Sequence, residues 1–314
     1  MFWTIAFRAF SGIGLALIFS LSQAYVGDSA PEGREGRHMG AFGIFIASGF
    51  GVEPLLAGII RDQYDMDTVF ISMAVMFAAA SIAMAILLPK SRRIRNGDVD
   101  ALPAVPWSTT LRHPCVQGLY LVGTSLAFAM GASFTFVAIF LERDMGATAT
   151  MVGAVLAVQH VTNGAMQPIS EMLADRFDRR MLIMGGAILV AAGYLTPAIV
   201  DEYWVIVVGF MLGVGVGNSI AQVSTQALQM EIGRELGMAT VMSLQATSFG
   251  SGVLMGSMLT GIVNVMVGTR WVFVAATLVI LGGALAFILR TAGRPITRFL
   301  AGEEVTTAPE PASG

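Results

Sequence analysis

Charge is sparse in this chain. Only 12% of its 314 residues are Asp, Glu, Lys or Arg, against about a quarter in an ordinary soluble domain. So few charges cannot coat a water-facing surface of this size, which argues against a soluble globular protein. The basic residues are scattered over short loops instead of massed on one face, so no nucleic-acid partner is expected. Cysteine is limited to Cys115, beside Pro114 in a polar linker. That excludes an internal disulfide and leaves no second thiol for a metal site. The phosphate-cradling pattern G-x-x-x-x-G-K-[ST] is missing, so direct use of ATP is not expected. No nucleophile–base arrangement and no metal-ligand spacing stand out, so neither an enzyme nor a cofactor is expected. The apolar stretch from Phe2 has no basic leader and no small-residue cleavage site. It is expected to stay as a helix and not to be removed as a signal peptide.

What the chain has in quantity is apolar sequence: 55% hydrophobic residues and a mean hydropathy of +0.73. A helix needs about 20 apolar residues to cross a bilayer. Nine segments meet that need, at 2–26, 39–60, 68–88, 117–141, 148–171, 180–200, 203–228, 238–267 and 271–289. The runs are continuous and too long for the alternating strands of a membrane barrel. The expected class is therefore an all-α polytopic membrane protein lying in the lipid bilayer. Basic residues in the loops set orientation. One set of loops holds fourteen, and the other holds Arg61, Arg143 and Arg270. The rich side is expected to be cytoplasmic in a cell (inner or plasma) membrane, with the C-terminus inside. The organisation expected is a three-helix bundle at 1–88, a cytoplasmic linker at 89–116, a six-helix bundle at 117–292 and a disordered tail at 293–314.

The two bundles share a repeat. A shift of about 200 residues lays Gly12-Ile13-Gly14 on Gly213-Val214-Gly215, Ser48-Gly49 on Ser251-Gly252, and Val69-Phe70 on Val272-Phe273. The first three spans thus match the last three in the same orientation. Three further stretches carry charge or glycine where a membrane makes them costly. Asp175-Arg176-Phe177-Asp178-Arg179-Arg180 joins two spans. Arg8-Ala-Phe-Ser-Gly12-Ile-Gly14-Leu-Ala16 opens the first. Gly49-Phe50-Gly51-Val52-Glu53-Pro54-Leu55-Leu56-Ala57-Gly58 lies in the second. An ionisable residue inside a span marks a functional position by default.

The charged loop is similar to the G-x-L-a-D-R-x-G-R-R signature of the major facilitator superfamily. The first span resembles the R-x-x-x-G-x-G-x-A pattern of that family's fourth helix. The second resembles the G-x-x-x-G-P-x-x-G-G helix of its antiporters. Glu171 and Asp178 stand where the loop signature has glycine, and Ala57 replaces a helix glycine. The resemblance covers the whole chain and implies helices 4–12 of a twelve-helix fold, with helices 1–3 not represented. It implies a secondary transporter working by alternating access on a small organic solute, coupled to protons. Export is the leading direction, and uptake of a sugar or carboxylate is the alternative. A second alternative is a shortened accessory membrane protein, or one needing another segment to supply the missing helices. Arg8 is implied in proton coupling or solute contact. Asp175, Arg176, Arg179 and Arg180 are implied as a cytoplasmic gate, with Asp175 holding the N-terminus of a neighbouring helix.

The residues themselves suggest the rest. Glu53 and Arg8 lie about 10 Å below the same face at 1.5 Å per residue. They are expected either to pair or to leave Glu53 able to exchange a proton. Gln159, Asn163 and Gln167 recur every four residues and form one polar stripe on a helix, with His160 beside it as a third candidate for proton coupling. Asn218, Gln222 and Gln226, extended by Gln229, repeat the pattern, and Gln245 adds to it. These stripes are expected to line a solute cavity.

Overall fold

A computed structural model describes residues 7, 10–12, 14, 17, 18, 22, 25 and 26 singly, and 35–87, 113–236 and 238–292 without a break. Among the described residues the regular structure is helical throughout. It comprises α1 (Glu35–Gln63), α2 (Met66–Leu87) and α3 (Pro114–Ile139), the last running on through a π turn at Phe140–Asp144. There follow α4 (Ala149–Arg176), α5 (Arg179–Ile199), α6 (Tyr203–Val208), a π stretch at Gly209–Val216, α7 (Gly217–Leu236), α8 (Met238–Val267) and α9 (Thr269–Thr291). Six rods are long and apolar enough to cross a bilayer: Met66–Leu87, Pro114–Asp144, Arg179–Ile199, Tyr203–Gly233, Thr240–Val267 and Thr269–Thr291. α1 and α4 are long enough, at 29 and 28 residues, but more polar. These eight rods fall on eight of the nine expected segments. The expected first span lies largely outside the described residues, as do the linker and the tail. The chain is an all-α, polytopic membrane protein.

Local chemistry sets where the rods begin. Pro114 occupies the first turn of α3, where its missing N–H costs nothing. Asp178 caps α5 by accepting the N–H of Arg180 at 2.7 Å. Asp65 caps α2, accepting the N–H and the hydroxyl of Thr68 at 2.7 and 2.6 Å. Those bonds, the hydroxyl first, hold its carboxyl below the usual range. Gly268, immediately before α9, has φ of 98°. A side chain is rarely tolerated at that angle, and this lets the chain reverse in a tight turn.

The residues group into two compact units, Met1–Ala101 with Thr148–Gly164, and Leu102–Ala147 with Ala165–Gly314. In the second unit α3 packs against both α8 and α9. Lipid offers no hydrophobic drive for helix association, so close backbone approach and hydroxyl bonds supply it. A Cβ added at Gly252 or Gly256 would strike the carbonyls of Thr124 and Phe128. The numbers rise together, so α3 and α8 run parallel. Thr124 and Ser248 bond at 3.0 Å, Tyr120 and Ser251 at 3.3 Å, and Ser257 reaches the carbonyl of Gly131 at 3.2 Å along the same seam. α5 meets the rod from 203 to 236 antiparallel, Gly186 against Ala221 and Gly193 against Val214. Phe140, Phe210, Phe273 and Phe287 are fully buried and fill the space between seams.

Candidate functional site: polar stripes and a charged clasp

α4 carries the polar stripe expected from its four-residue spacing. Gln159 is 6% exposed. Its Oε1 and the Nδ2 of Asn163 are shut off from solvent with no hydrogen-bond partner among the described residues. An unmet acceptor and an unmet donor thus sit one turn apart on one helix face. Buried amides are nearly always bonded, so such a pair suits a ligand or a solvent molecule that both donates and accepts. His160 lies with Nε2 3.3 Å from the Nε2 of Gln159, and its ring stacks on Phe50 of α1 at 5.8 Å. Gln167 is half-buried further along α4. Glu53 is exposed on α1, and no hydrogen bond or ion pair reaches it among the described residues. Arg8 and any pairing with it lie outside the described residues.

The second stripe divides. Asn218 and Gln226 are half-buried and Gln222 is exposed. Gln229 is buried, with an unpartnered Oε1. It shares a small cavity with Gln245, Ser248, Tyr120 and apolar Val116, Leu119, Val241 and Leu244. The structure therefore joins Gln245 to the far end of the stripe, by way of Gln229, rather than to Asn218. Among the aromatics of α3, Phe128 and Phe136 are buried and Phe134 is exposed.

The two arginines that end the charged stretch, at the start of α5, tie α5 to α7 and α9 within the second unit. Arg179 Nη1 lies 2.6 Å from Glu231 Oε2 on α7 and also donates to the Ala227 carbonyl at 3.5 Å. Arg180 Nη1 donates to the carbonyl of Thr291 at 2.6 Å. That carbonyl is in the last turn of α9, which has no helical donor to satisfy it and where a cation is favoured. Asp175 and Arg176 are exposed, with no bond among the described residues. Two acidic partners were not legible in the sequence. Glu231 lies 52 residues from Arg179 and carries no local signal. Asp62 lies just past the second expected span and accepts the N–H groups of Ala149 and Thr150 at 3.0 and 2.7 Å. Its only sequence trace is an acidic residue four positions after Gly58.

Known proteins resemble this chain along most of its length. The model of the family described as Major Facilitator Superfamily matches in two stretches, residues 1–140 and 119–312. An uncharacterized MFS-type transporter of Methanocaldococcus jannaschii is 22% identical over 264 residues, 83% of this chain and 68% of that protein. The inner membrane transport protein YajR of Escherichia coli K12 is 27% identical over 48% of this chain and 34% of its own length. The multidrug resistance protein MdtH of Cronobacter sakazakii is 26% identical over 40% and 31%. The matched stretches span about two thirds of the first relative and about one third of the other two. A family match in two stretches, laid over glycine-seamed rods of membrane-crossing length and an arginine-rich connecting loop, makes this chain a member of the major facilitator superfamily.

Proposed function

We propose that this chain is a secondary active transporter that moves a small organic solute across the bilayer by alternating access, driven by protons and acting outward. Membership of a membrane-transporter family supports the coarse reading. The solvent-shielded Gln159 Oε1 and Asn163 Nδ2, both without a hydrogen-bond partner among the described residues, support solute contact within it. They are costly to keep unless the cycle uses them, since an unsatisfied buried polar group costs about 1–3 kcal/mol. In this reading Gln159, Asn163, Gln167, Asn218, Gln222, Gln226 and Gln245 contact the solute. Arg8, Glu53 and His160 couple it to proton movement. Asp175, Arg176, Arg179 and Arg180 form the gate on the arginine-rich side. The name of MdtH, a multidrug resistance protein, favours export of drug-like compounds in this reading, and the methionine and phenylalanine content of the chain suits apolar ones. In this reading the arginine-rich loops, and the C-terminus with them, lie on the cytoplasmic side.

The test is ethidium flux in proteoliposomes of the full chain under an imposed pH gradient. Ethidium accumulation that collapses with a protonophore, and slows at least tenfold in Glu53→Gln, agrees with proton-driven export. Saturable flux that ignores the gradient would overturn the coupling. Flux of sugars or carboxylates with none of ethidium would favour uptake by the same fold.

A further inference from the structure

Asp62 makes a contact that none of the roles above uses. It stands in the last turn of α1 and its two oxygens each accept one backbone N–H from the first turn of α4, Ala149 at 3.0 Å and Thr150 at 2.7 Å. Those N–H groups have no carbonyl within their own helix, and a carboxylate is favoured at that positive end. α4 already has a cap of its own: the Thr148 hydroxyl accepts the N–H of Met151 at 3.3 Å. Asp62 is therefore not needed for α4 to begin. Its effect is to join α4 to α1.

The two helices meet as a close antiparallel pair within the first unit. A Cβ at Gly58 would overlap the Ala149 carbonyl, and one at Gly153 would overlap the Pro54 carbonyl. At Gly51 it would lie 3.1 Å from the Val161 side chain. Small residues bring the two backbones close at the Gly58 end, and the His160–Phe50 stack and the Val161 side chain against Gly51 continue the contact further along. The carboxylate–amide contact lies at one end of that face, on the side of the membrane where the loops are poor in arginine. Hydrogen bonds from Thr150, its side chain first and then its backbone, hold the Asp62 carboxyl at about 2. It stays ionised throughout the physiological range, so protonation of Asp62 is not what releases it.

We propose that Asp62 is a positioning residue of the transport cycle, a clasp that holds α1 against the first turn of α4 and must open when the arginine-poor face opens. This rests on the alternating-access reading. Its test is separable from that reading because it begins with accessibility, not flux. In a Cys115→Ser background, Val152→Cys places a thiol at a buried position beside the clasp. Labelling by a membrane-impermeant maleimide should rise at least fivefold when Asp62→Asn is added, and return most of the way with Asp62→Glu. Asp65→Asn, which removes the neighbouring carboxylate that accepts from Thr68 within its own turn, should leave labelling within twofold. In proteoliposomes Asp62→Asn should change maximal ethidium flux at least threefold with KM within twofold, because Asp62 lies off the polar stripes. Labelling unchanged by Asp62→Asn, or raised equally by Asp65→Asn, overturns the clasp. Raised labelling with maximal flux unaltered overturns its part in the cycle. Raised labelling with no ethidium flux even in the parent protein sinks the exporter reading and leaves the contact itself established.

Discussion

At the scale of single residues, two kinds of polar side chain separate. Gln159 is buried with an unmet oxygen, whereas Arg179 and Glu231 are about one third exposed and satisfied. Gln159→Met, which keeps the volume and removes the unmet amide, should leave thermal stability in detergent equal or higher, by up to about 1 kcal/mol, while cutting flux at least tenfold. A loss of stability would instead mark Gln159 as a packing residue. The half-exposed ion pair contributes little: a double-mutant cycle on Arg179→Ala and Glu231→Ala should give a coupling of about 0.5–1 kcal/mol by thermal denaturation. Asp62 gives a pH prediction. Its folded carboxyl lies below the ordinary 3.8, at about 2. Its contribution is therefore present in full above 3.8 and lost as the pH falls through about 2. Maleimide labelling of Val152→Cys, corrected for thiol ionisation, should accordingly be flat from pH 8 to pH 5. The chemistry of these residues was legible only where it is local. The four-residue step of Gln159 and Asn163 announces a shared face. The partner of Arg179 and the target of Asp62 lie 52 and 87 residues away, and spacing cannot reveal either.

At the scale of elements, glycine position decides which seams hold. A Cβ at Gly256 would collide with the Phe128 carbonyl of α3, while one at Gly250, six residues earlier on the same helix, meets nothing within 4 Å. Gly256→Val should cost about 3 kcal/mol or abolish folding, and Gly250→Val should stay within about 0.5 kcal/mol, as read by thermal unfolding in detergent. Equal effects would mean that backbone proximity does not hold α3 to α8. The rods were readable because apolar runs of 20 or more residues allow few other structures. The wide turns at Phe140–Asp144 and Gly209–Val216 were not readable. A π turn changes hydrogen-bond register without changing hydrophobicity. Such a slip turns α7 relative to α6, so a stripe drawn from α-helical spacing alone does not carry across it.

At the scale of the whole molecule, the arginine bias makes a topological prediction. Green fluorescent protein fused after Gly314 should fluoresce, and alkaline phosphatase at the same place should stay inactive; the opposite pattern would invert every assignment of side. One helix also has a practical consequence. None of the 22 residues of α2 is buried. At 1.5 Å per residue it is a rod of about 33 Å, close to the thickness of the hydrocarbon layer. Whatever surrounds the purified protein must therefore coat most of this rod, from beyond its half-buried first turns to its end. Short-chain surfactants with thin micelles would leave its ends bare and invite clumping, so long-chain maltosides or lipid nanodiscs are the preparations in which the protein should remain dispersed.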